Sequence, residues 1–405
     1  MKVQQKTPGL LSGIKILDMA DEKAGFCSKL LADLGARVIK VERPGGDPSR
    51  WIGPFTGGAP HPERSLSFLY NNSNKLGITL DIECHRGREL FFHLIERVDV
   101  LVESFLPGHL KTLGLDFESL RKSNPGLIMA SVTGFGQTGP RKEFKSCDLV
   151  ISAFSGQMYV SGSPDKTPIK AFGDQTYMTG SLFAAVGILL ALQRRRRNGT
   201  GEHIDISLQE TAVSTLDHVM PRYFHDQIIS HRHGNRHWND FFWILRCKDG
   251  FIHMTPFERW ETLIEWLDSE GMAKDLPDEK WKDEQYRLEN RDHIREVLEE
   301  WTRNHRVNEL FETGQLMHFP WAPVFSLKEV TTSRQLKSRG FFKEMEEPED
   351  NGDLRYPGLP YKFCGGISVP RKRAPRIGED NKRVYWEELG LDEKDITTLS
   401  SEGVI

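Results

Sequence analysis

The chain has 405 residues, of which 38% are hydrophobic and 28% are charged, and its formal net charge is -4 at pH 7. This composition is typical of a soluble protein with about two domains, and it lacks the basic excess of nucleic-acid-binding proteins. No apolar run reaches the roughly 18 residues that a membrane span needs, and the first residues lack the apolar core of a signal peptide. The five cysteines have no CxxC spacing, which favours a reduced, cytoplasmic compartment. His225, His231, His233 and His237 have no metal-ligand spacing, so no metal site is predicted.

The beginning of the chain predicts a parallel βαβ unit. Its apolar residues predict a strand over residues 14–19, an amphipathic helix over 26–34 and a second strand over 37–42. A dinucleotide site would need GxGxxG in the turn after the first strand. That turn reads DEKAG and contains Gly25 alone, so the sequence does not predict a nicotinamide cofactor.

Strands and helices continue to alternate further along the chain. Strands are predicted over residues 76–82, 99–105, 127–132 and 203–207, with a helix over 86–96. Turns that contain asparagine or glycine lie beside several of these strands, as expected at the carboxyl edge of a sheet where ligands bind. The sequence therefore predicts an α/β fold with a doubly wound sheet.

A long helix with small residues on its packing faces follows Asp174. These small residues are Gly180, Ala184, Ala185, Gly187 and Ala191. They would let another backbone approach closely, so the pattern predicts a buried central helix. Four arginines, residues 194–197, lie in its last turn, and Asn198 and Gly199 end it. Asp174 itself is either a catalytic carboxylate or the N-terminal cap of this helix.

Residues 131–158, which read SVTGFGQTGPRKEFKSCDLVISAFSGQM, resemble the central signature of the class III coenzyme A transferases. That family includes formyl-CoA and carnitine-CoA transferases and 2-methylacyl-CoA racemases. The resemblance runs almost end to end. Further matching segments follow the family order: LLSGIKILDMA, LGARVIKVERPGGDPSR, NNSNKLGITLDIE and NGTGEHIDISLQE.

The resemblance implies an architecture that the hydrophobic periodicity of the sequence does not predict by itself. Family members have a Rossmann-like large domain built from both chain ends, a small inserted α+β domain, and two ring-shaped subunits that interlock as a dimer. Here the large domain would comprise residues 1–222, the insert residues 223–336, and the returning C-terminal segment residues 337–405. Within the insert, a strand is predicted over 250–254 and helices over 258–267 and 291–304. The polar segment 270–290 is predicted to be a solvated loop.

The resemblance also implies a reaction. Family transferases move coenzyme A from an acyl-CoA donor, for example succinyl-CoA, to a carboxylic acid, with no tightly bound cofactor. An aspartate attacks the donor to give a mixed anhydride, and the released thiolate then forms an aspartyl-CoA thioester. Asp174, in a Gly173-Asp174 pair, is the predicted nucleophile. However, a gap-free alignment of AAVGILLAL would place Tyr177 at that position.

Contacts to coenzyme A carry over from the family residue by residue. They fall in several short segments, most of them at or just after the ends of predicted strands: Lys23, Ala24, Arg43, Leu80, Asp81, Ile82, Glu83, Ser104, Phe105, Leu106, Thr112, Lys145, Ser146, Cys147 and Asp148. Among them, Arg43 matches a family arginine near the adenine and ribose phosphate of coenzyme A. Family members commonly have asparagine at the position of Ser104 and arginine at that of Thr112. Both differences remove a hydrogen-bonding partner for coenzyme A.

Three functions remain open. The first is a catalytic CoA-transferase that acts as a homodimer on an acyl-CoA and a carboxylic acid. The second is a non-catalytic paralogous subunit of a heteromer of the benzylsuccinate CoA-transferase type, with the nucleophile on its partner. An acyl-CoA racemase is less favoured, because Cys147 stands where the racemases have a catalytic histidine. The sequence identifies neither the acid nor the donor, and it predicts no nucleic-acid or membrane partner.

Overall fold

A computed structural model describes residues 9–236, 242–345, 354–364 and 371–405 of the chain. The chain forms two compact units. The first contains the residues up to Met158, Lys170–Ile228 and Ser338–Ile405, and the second contains Tyr159–Ile169 and Ile229–Lys337. The domain limits at residues 222 and 336, which come from the family resemblance, stay a prediction.

A parallel sheet of six strands lies at the centre of the first unit. Its strands are β1 (Lys15–Met19), β2 (Arg37–Glu42), β3 (Leu76–Thr79), β4 (Val100–Glu103), β5 (Ile128–Thr133) and β6 (Glu202–Ser207). Their order in the sheet is β3-β2-β1-β4-β5-β6, and each neighbouring pair is parallel. This is the strand order of doubly wound nucleotide-binding folds. The predicted α/β fold is confirmed.

Helices cover both faces of this sheet. The helices of this part of the unit are α1 (Gly25–Asp33), α2 (Leu66–Asn71), α3 (His85–Ile95), α4 (His109–Thr112), α5 (Phe117–Ser123), α6 (Asp148–Phe154), α7 (Gln175–Asn198), α8 (Leu208–Val213) and α9 (Val219–Asp226), of which α9 buries no residue. Successive strand residues point to opposite faces, so Ile16 packs with α1 and α7 while Leu17 packs with α3 and α5. Because both faces are covered, β4 and β5 are buried along their whole length and read as mainly apolar runs, whereas β6 at the sheet edge alternates polar and apolar residues.

The predicted buried helix is confirmed as α7. Ala184 is completely buried, and a Cβ added to Gly180 would lie only 2.2 Å from the Cδ2 of Leu208. The helix ends at Gly199, whose φ of 75° is left-handed. By length and composition α7 could cross a membrane, but 50% of its most apolar window is buried inside the protein. A single helix of this kind is weak evidence for a membrane span, because core helices of soluble proteins pass the same test.

The second unit contains a small antiparallel sheet with helices. Its strands are β7 (Trp243–Arg246), β8 (Phe251–Met254) and β9 (Ala322–Pro323), in the order β7-β8-β9. Its helices are α10 (Trp260–Ser269), α11 (Glu284–Glu289), α12 (Arg291–Thr302), α13 (Val307–Leu316) and α14 (Leu327–Thr332), and α15 (Arg334–Ser338) leads back to the first unit. Trp243, Trp301 and Trp321 are buried in its core.

The segment 270–290 is largely exposed, as predicted for a solvated segment, but the prediction that it is a loop is wrong. This segment contains a 3-10 turn, Glu279–Lys282, and helix α11. Trp281 is only 2% exposed, its ring lies 6.4 Å from that of Trp260, and its Nε1 donates to Asp275. Ala273, Leu276 and Trp281 are buried and attach the segment to the core of the second unit, while most of its charged residues are exposed.

The C-terminal part of the chain completes the first unit. Its elements are β10 (Phe342–Met345), β11 (Leu354–Pro357), α16 (Asn381–Val384), a π-helical turn (Tyr385–Leu389) and α17 (Glu393–Ser401). The hydroxyl of Tyr385 donates to the carbonyl of Thr79 at 2.7 Å, and the backbone N–H of Gly77 donates to Asp380 at 2.9 Å. These bonds attach the C-terminal segment to β3.

Candidate functional site

A cavity of about 510 Å³ opens at the carboxyl ends of β1, β2, β3 and β4. Most of the residues that were predicted to contact coenzyme A line it: Lys23, Arg43, Leu80, Asp81, Ile82, Glu83, Ser104, Phe105 and Leu106. The sequence placed these residues in segments far apart along the chain. Parallel strands bring them together because their carboxyl ends lie along one edge of the sheet.

The remaining predicted contacts lie outside the lining of this cavity. Ala24 is fully buried at the start of α1, and Thr112 is exposed, with its hydroxyl donating to the carbonyl of His109 at 2.7 Å. Lys145, Ser146, Cys147 and Asp148 form the segment that enters α6, where Lys145 and Cys147 are exposed. Whether they bind a ligand stays a prediction.

Several residues of the cavity were not predicted from the sequence. They are Met19, Asp21, Val41, Glu42, Asp47, Pro48 and His109. Met19, Val41 and Glu42 are the last residues of predicted strands, and this position could have identified them as cavity residues. His109 follows the end of β4 by several residues, and no periodicity marks it.

Ser104 connects two turns at the edge of the cavity. Its hydroxyl accepts the backbone N–H of Asp21 at 2.9 Å and donates to the Oδ1 of Asp21 at 2.7 Å. The other carboxylate oxygen of Asp21 pairs with Lys23. The turn after β1 is therefore fixed to the turn after β4, and the hydroxyl of Ser104 has a structural role.

Buried ion pairs support the floor of the cavity. Arg50 donates from Nε to Glu42 at 2.6 Å and from its second terminal nitrogen at 2.7 Å, and both side chains are almost completely buried. Lys40 lies 3.1 Å from Asp47. Burial alone would raise the pKa of Asp47, but Lys40 and hydrogen bonds from Ser49 outweigh it and lower that pKa. The negative charges of Glu42 and Asp47 are thus balanced by the buried cations Arg50 and Lys40, which do not line the cavity.

A second buried pair fixes the start of α1. The Nζ of Lys75 lies 2.7 Å from the Oδ2 of Asp18, and it also donates to Asn72 at 2.8 Å and to the carbonyl of Gly25 at 3.0 Å. Burial lowers the pKa of Lys75, although Asp18 opposes that shift. Lys75 and its three partners hold β1, α1 and the segment before β3 together, so the pair positions the turn after β1.

Asp148 caps the N-terminus of α7 from a neighbouring helix. Its Oδ1 accepts the backbone N–H of Thr176 at 2.8 Å and the hydroxyl of Thr176 at 2.7 Å, and its Oδ2 lies 2.6 Å from the Nζ of Lys170. Asp174 occupies the N-cap position, but its side chain makes no cap hydrogen bond and is exposed. The interpretation of Asp174 as a side-chain cap is therefore wrong.

Tyr177, which a gap-free alignment places at the nucleophile position, is 6% exposed. Burial raises the pKa of Tyr177 far above its ordinary value, and the nearby carboxylates of Glu22 and Asp21 raise it further. Burial and the charge of Asp21 also raise the pKa of Glu22. Tyr177 is therefore a neutral phenol near the acidic turn after β1.

A metal centre was not predicted. Within residues 9–236, 242–345, 354–364 and 371–405, no three His, Cys, Asp or Glu side chains form a cluster that could hold a metal ion. His225 forms a 2.5 Å ion pair with Asp226. His237 lies outside the described residues.

Comparison with known proteins agrees with this arrangement. The family model described as CoA-transferase family III matches residues 11–381. The chain is 33% identical over 403 residues to the succinyl-CoA:(R)-benzylsuccinate CoA-transferase subunit BbsE of Thauera aromatica, covering 97% of this chain and 98% of that protein. It is 31% identical over 387 residues to succinyl-CoA:mesaconate CoA-transferase of Haloarcula hispanica, covering 94% and 96% of the two chains.

A solved structure shares the fold. The crystal structure of a CAIB/BAIF family protein from Brucella suis superposes with a TM-score of 0.83 at 31% identity, covering 95% of this chain and all of that one. The family model and the identities extend over almost the whole chain. The protein therefore belongs to CoA-transferase family III.

Proposed function

We propose that this chain takes part in the transfer of coenzyme A from succinyl-CoA, or another acyl-CoA donor, to a carboxylic acid. The observation that carries the proposal is the cavity at the carboxyl ends of β1–β4, because most of the predicted coenzyme A contacts line it. Its volume of about 510 Å³ is within the usual range for small-molecule sites. The names of the relatives, which specify succinyl-CoA, support the choice of donor.

The proposed nucleophile is Asp174. Its carboxylate would attack the thioester carbonyl of the donor, so that the C–S bond breaks and a mixed anhydride and the CoA thiolate form. The thiolate would then attack the carbonyl of Asp174, which releases the donor acid and leaves an aspartyl-CoA thioester. The acceptor acid repeats both steps in reverse order and regenerates Asp174. Because its carboxylate is exposed and makes no cap bond, Asp174 is available for this role.

A second candidate function is a non-catalytic subunit of a heteromeric transferase. The observation that favours it is Tyr177, a buried neutral side chain at the position where a gap-free alignment puts the nucleophile. The relative from Thauera aromatica is itself named as a subunit. In this case a paralogous partner supplies the aspartate, and Asp174 does no chemistry. The racemase alternative stays disfavoured, since Cys147 cannot replace the histidine base.

We propose further that the chain assembles as a homodimer or with a paralogous partner, in the interlocked form of the family, in the cytoplasm. One face of α7 supports assembly, because Leu182, Phe183, Val186 and Leu190 are 45%, 48%, 53% and 66% exposed. Apolar side chains gathered on one helix face commonly mark an interface. A small inserted domain over residues 223–336 belongs to the same proposal.

The experiment is a transfer assay on the purified chain with succinyl-CoA and a panel of carboxylic acids, read as new acyl-CoA by mass spectrometry. Formation of a new thioester by wild type, and its loss by several powers of ten in Asp174→Asn, would support a catalytic chain. Transfer that needs a co-expressed paralogue and survives Asp174→Asn would support the subunit function. If the chain neither transfers nor binds coenzyme A, alone or with a paralogue, both proposed functions are contradicted.

A further inference from the structure

Three nitrogen-bearing side chains line the cavity, namely Lys23, Arg43 and His109. They follow β1, β2 and β4, which are adjacent in the order β2-β1-β4. Arg43 and His109 therefore lie beyond the strands on either side of β1. Lys23 is already paired with Asp21, whereas Arg43 uses its Nε to donate to the carbonyl of Gly46 at 3.2 Å.

The ring of His109 is held in a defined position while one edge stays accessible. Its centroid lies 4.9 Å from that of Phe105, at an interplanar angle of 33°. Its Nε2 lies 3.4 Å from the Oε1 of Glu83, and the two side chains are 34% and 59% exposed. The backbone N–H of His109 donates to the carbonyl of Leu106 at 3.0 Å. A ring with one face on Phe105 can donate a hydrogen bond to a ligand without much loss of conformational freedom.

The acidic residues of the cavity do not prevent an anion from binding. Three of the five carboxylates that line the cavity are paired with cations: Glu42 with Arg50, Asp47 with Lys40, and Asp21 with Lys23. Asp81, which has no cationic partner among these, accepts the backbone N–H of Glu83 at 2.9 Å. Glu83 is the carboxylate beside His109, and its side chain is 59% exposed to solvent, which screens its charge. The side of the cavity after β4 can therefore receive a negatively charged group.

Coenzyme A carries two separate anionic groups, a 3′-phosphate on the ribose and a diphosphate that leads to the pantetheine arm. The resemblance assigns Arg43 to the ribose phosphate. We propose that His109 binds the diphosphate, on the other side of β1. This inference rests on the proposed function, because it assumes that coenzyme A occupies the cavity.

His109 also supplies the hydrogen-bond donor to coenzyme A that is missing at Thr112. Thr112 stands where relatives commonly have arginine, but it is exposed and its hydroxyl donates to the backbone of His109. The two residues are three positions apart on α4, so they lie on the same side of the helix. A ring nitrogen one turn earlier can thus take the place of the missing guanidinium.

The test is isothermal titration calorimetry with coenzyme A and with 3′-dephospho-CoA. His109→Phe keeps an aromatic ring on Phe105 but removes both nitrogens, so it should weaken binding of both ligands about tenfold. Arg43→Ala should weaken coenzyme A and leave 3′-dephospho-CoA unchanged. His109→Arg, which restores a donor, should bind both ligands as well as wild type does.

His93→Phe is the matched control, since His93 also lies beside a glutamate, Glu96, at 3.5 Å but is 62% exposed on α3, outside the cavity lining. It should bind both ligands like wild type. Unchanged affinity in His109→Phe, or a loss confined to coenzyme A, would overturn the diphosphate assignment while leaving the proposed function intact. Wild type that binds neither ligand would instead overturn the proposed function, and the assignment with it.

Discussion

At Thr176, the first buried residue of α7, both the backbone N–H and the hydroxyl donate to Asp148. We expect Asp148→Ala to lower the free energy of unfolding by about 1–3 kcal/mol, because it removes a helix cap and leaves Lys170 without its ion-pair partner. Asp174→Ala is the control and should change that free energy by less than about 0.5 kcal/mol. Urea unfolding measures both. A larger loss for Asp174→Ala would show that the wrong carboxylate is identified as the cap.

Glu103 makes stability depend on pH. It is 2% exposed, and burial raises its pKa to about 7, against hydrogen bonds from Ser131 and the backbone of Phe105 that lower it. The pKa of a glutamate in an unfolded chain is about 4.3, so the unfolded state loses its proton first as pH rises. The stability contribution of the protonated side chain is therefore complete below about pH 4 and is lost between about pH 4 and pH 7.

Glu103→Gln keeps the shape of the protonated acid and removes this titration. At about pH 8 the variant should be more stable than wild type by about 1–3 kcal/mol, and the difference should be much smaller at about pH 5. Urea unfolding at the two pH values gives the result. Glu118→Gln, at a side chain that is 74% exposed, should show no such change with pH. An equal effect of Glu103→Gln at both pH values would contradict the account.

At the scale of elements, α7 depends on small side chains where it enters the core. Ala184 is completely buried among residues of α1, β5 and α8, whereas Val186 on the same helix is 53% exposed. Ala184→Leu should therefore lower the free energy of unfolding by about 1–3 kcal/mol through overpacking. Val186→Leu should change it by less than about 0.5 kcal/mol. Thermal unfolding compares the two, and similar losses would mean that α7 is not packed as described.

The strands and α7 could be predicted because their signals are local. A strand that is covered on both faces is a continuous apolar run, and α7 carries its small residues and its terminal glycine in the sequence itself. The segment 270–290 shows the limit of such signals. Charged residues outnumber the apolar ones there, yet Leu276 and Trp281 are buried in the second unit.

The cap of α7 could not be predicted, since it depends on a contact between distant residues. Asp148 and Thr176 are separated by 28 positions, and no periodicity connects them. The same holds for the pair of Lys75 and Asp18, which are separated by 57 positions. Sequence alone identified Asp174 as a candidate for the helix cap and for the nucleophile. The packing of α6 against α7 shows that Asp148 provides the cap.

At the scale of the whole molecule, the candidate site is a product of topology. The cavity residues come from the ends of β1, β2, β3 and β4, and the parallel order of these strands brings them together. The resemblance to the family identified most of them, because it covers nearly the whole chain. It could not identify His109, which stands outside the positions that were carried over.

Whether the chain carries the nucleophile decides between its two proposed functions. An exposed Asp174 favours a catalytic chain, and a buried Tyr177 near Glu22 and Asp21 favours a subunit that pairs with one. Both functions require coenzyme A transfer by the assembled protein. They differ in which polypeptide becomes covalently modified during turnover.

The most direct measurement traps that covalent state. The protein is incubated with succinyl-CoA and hydroxylamine, which attacks an aspartyl anhydride or aspartyl-CoA thioester and leaves a hydroxamate on the side chain. Peptide mass spectrometry then locates the modification. The account predicts a hydroxamate at Asp174 in wild type and none in Asp174→Asn. A wild-type chain that transfers coenzyme A, alone or with a paralogue, without any modification at Asp174 would contradict it.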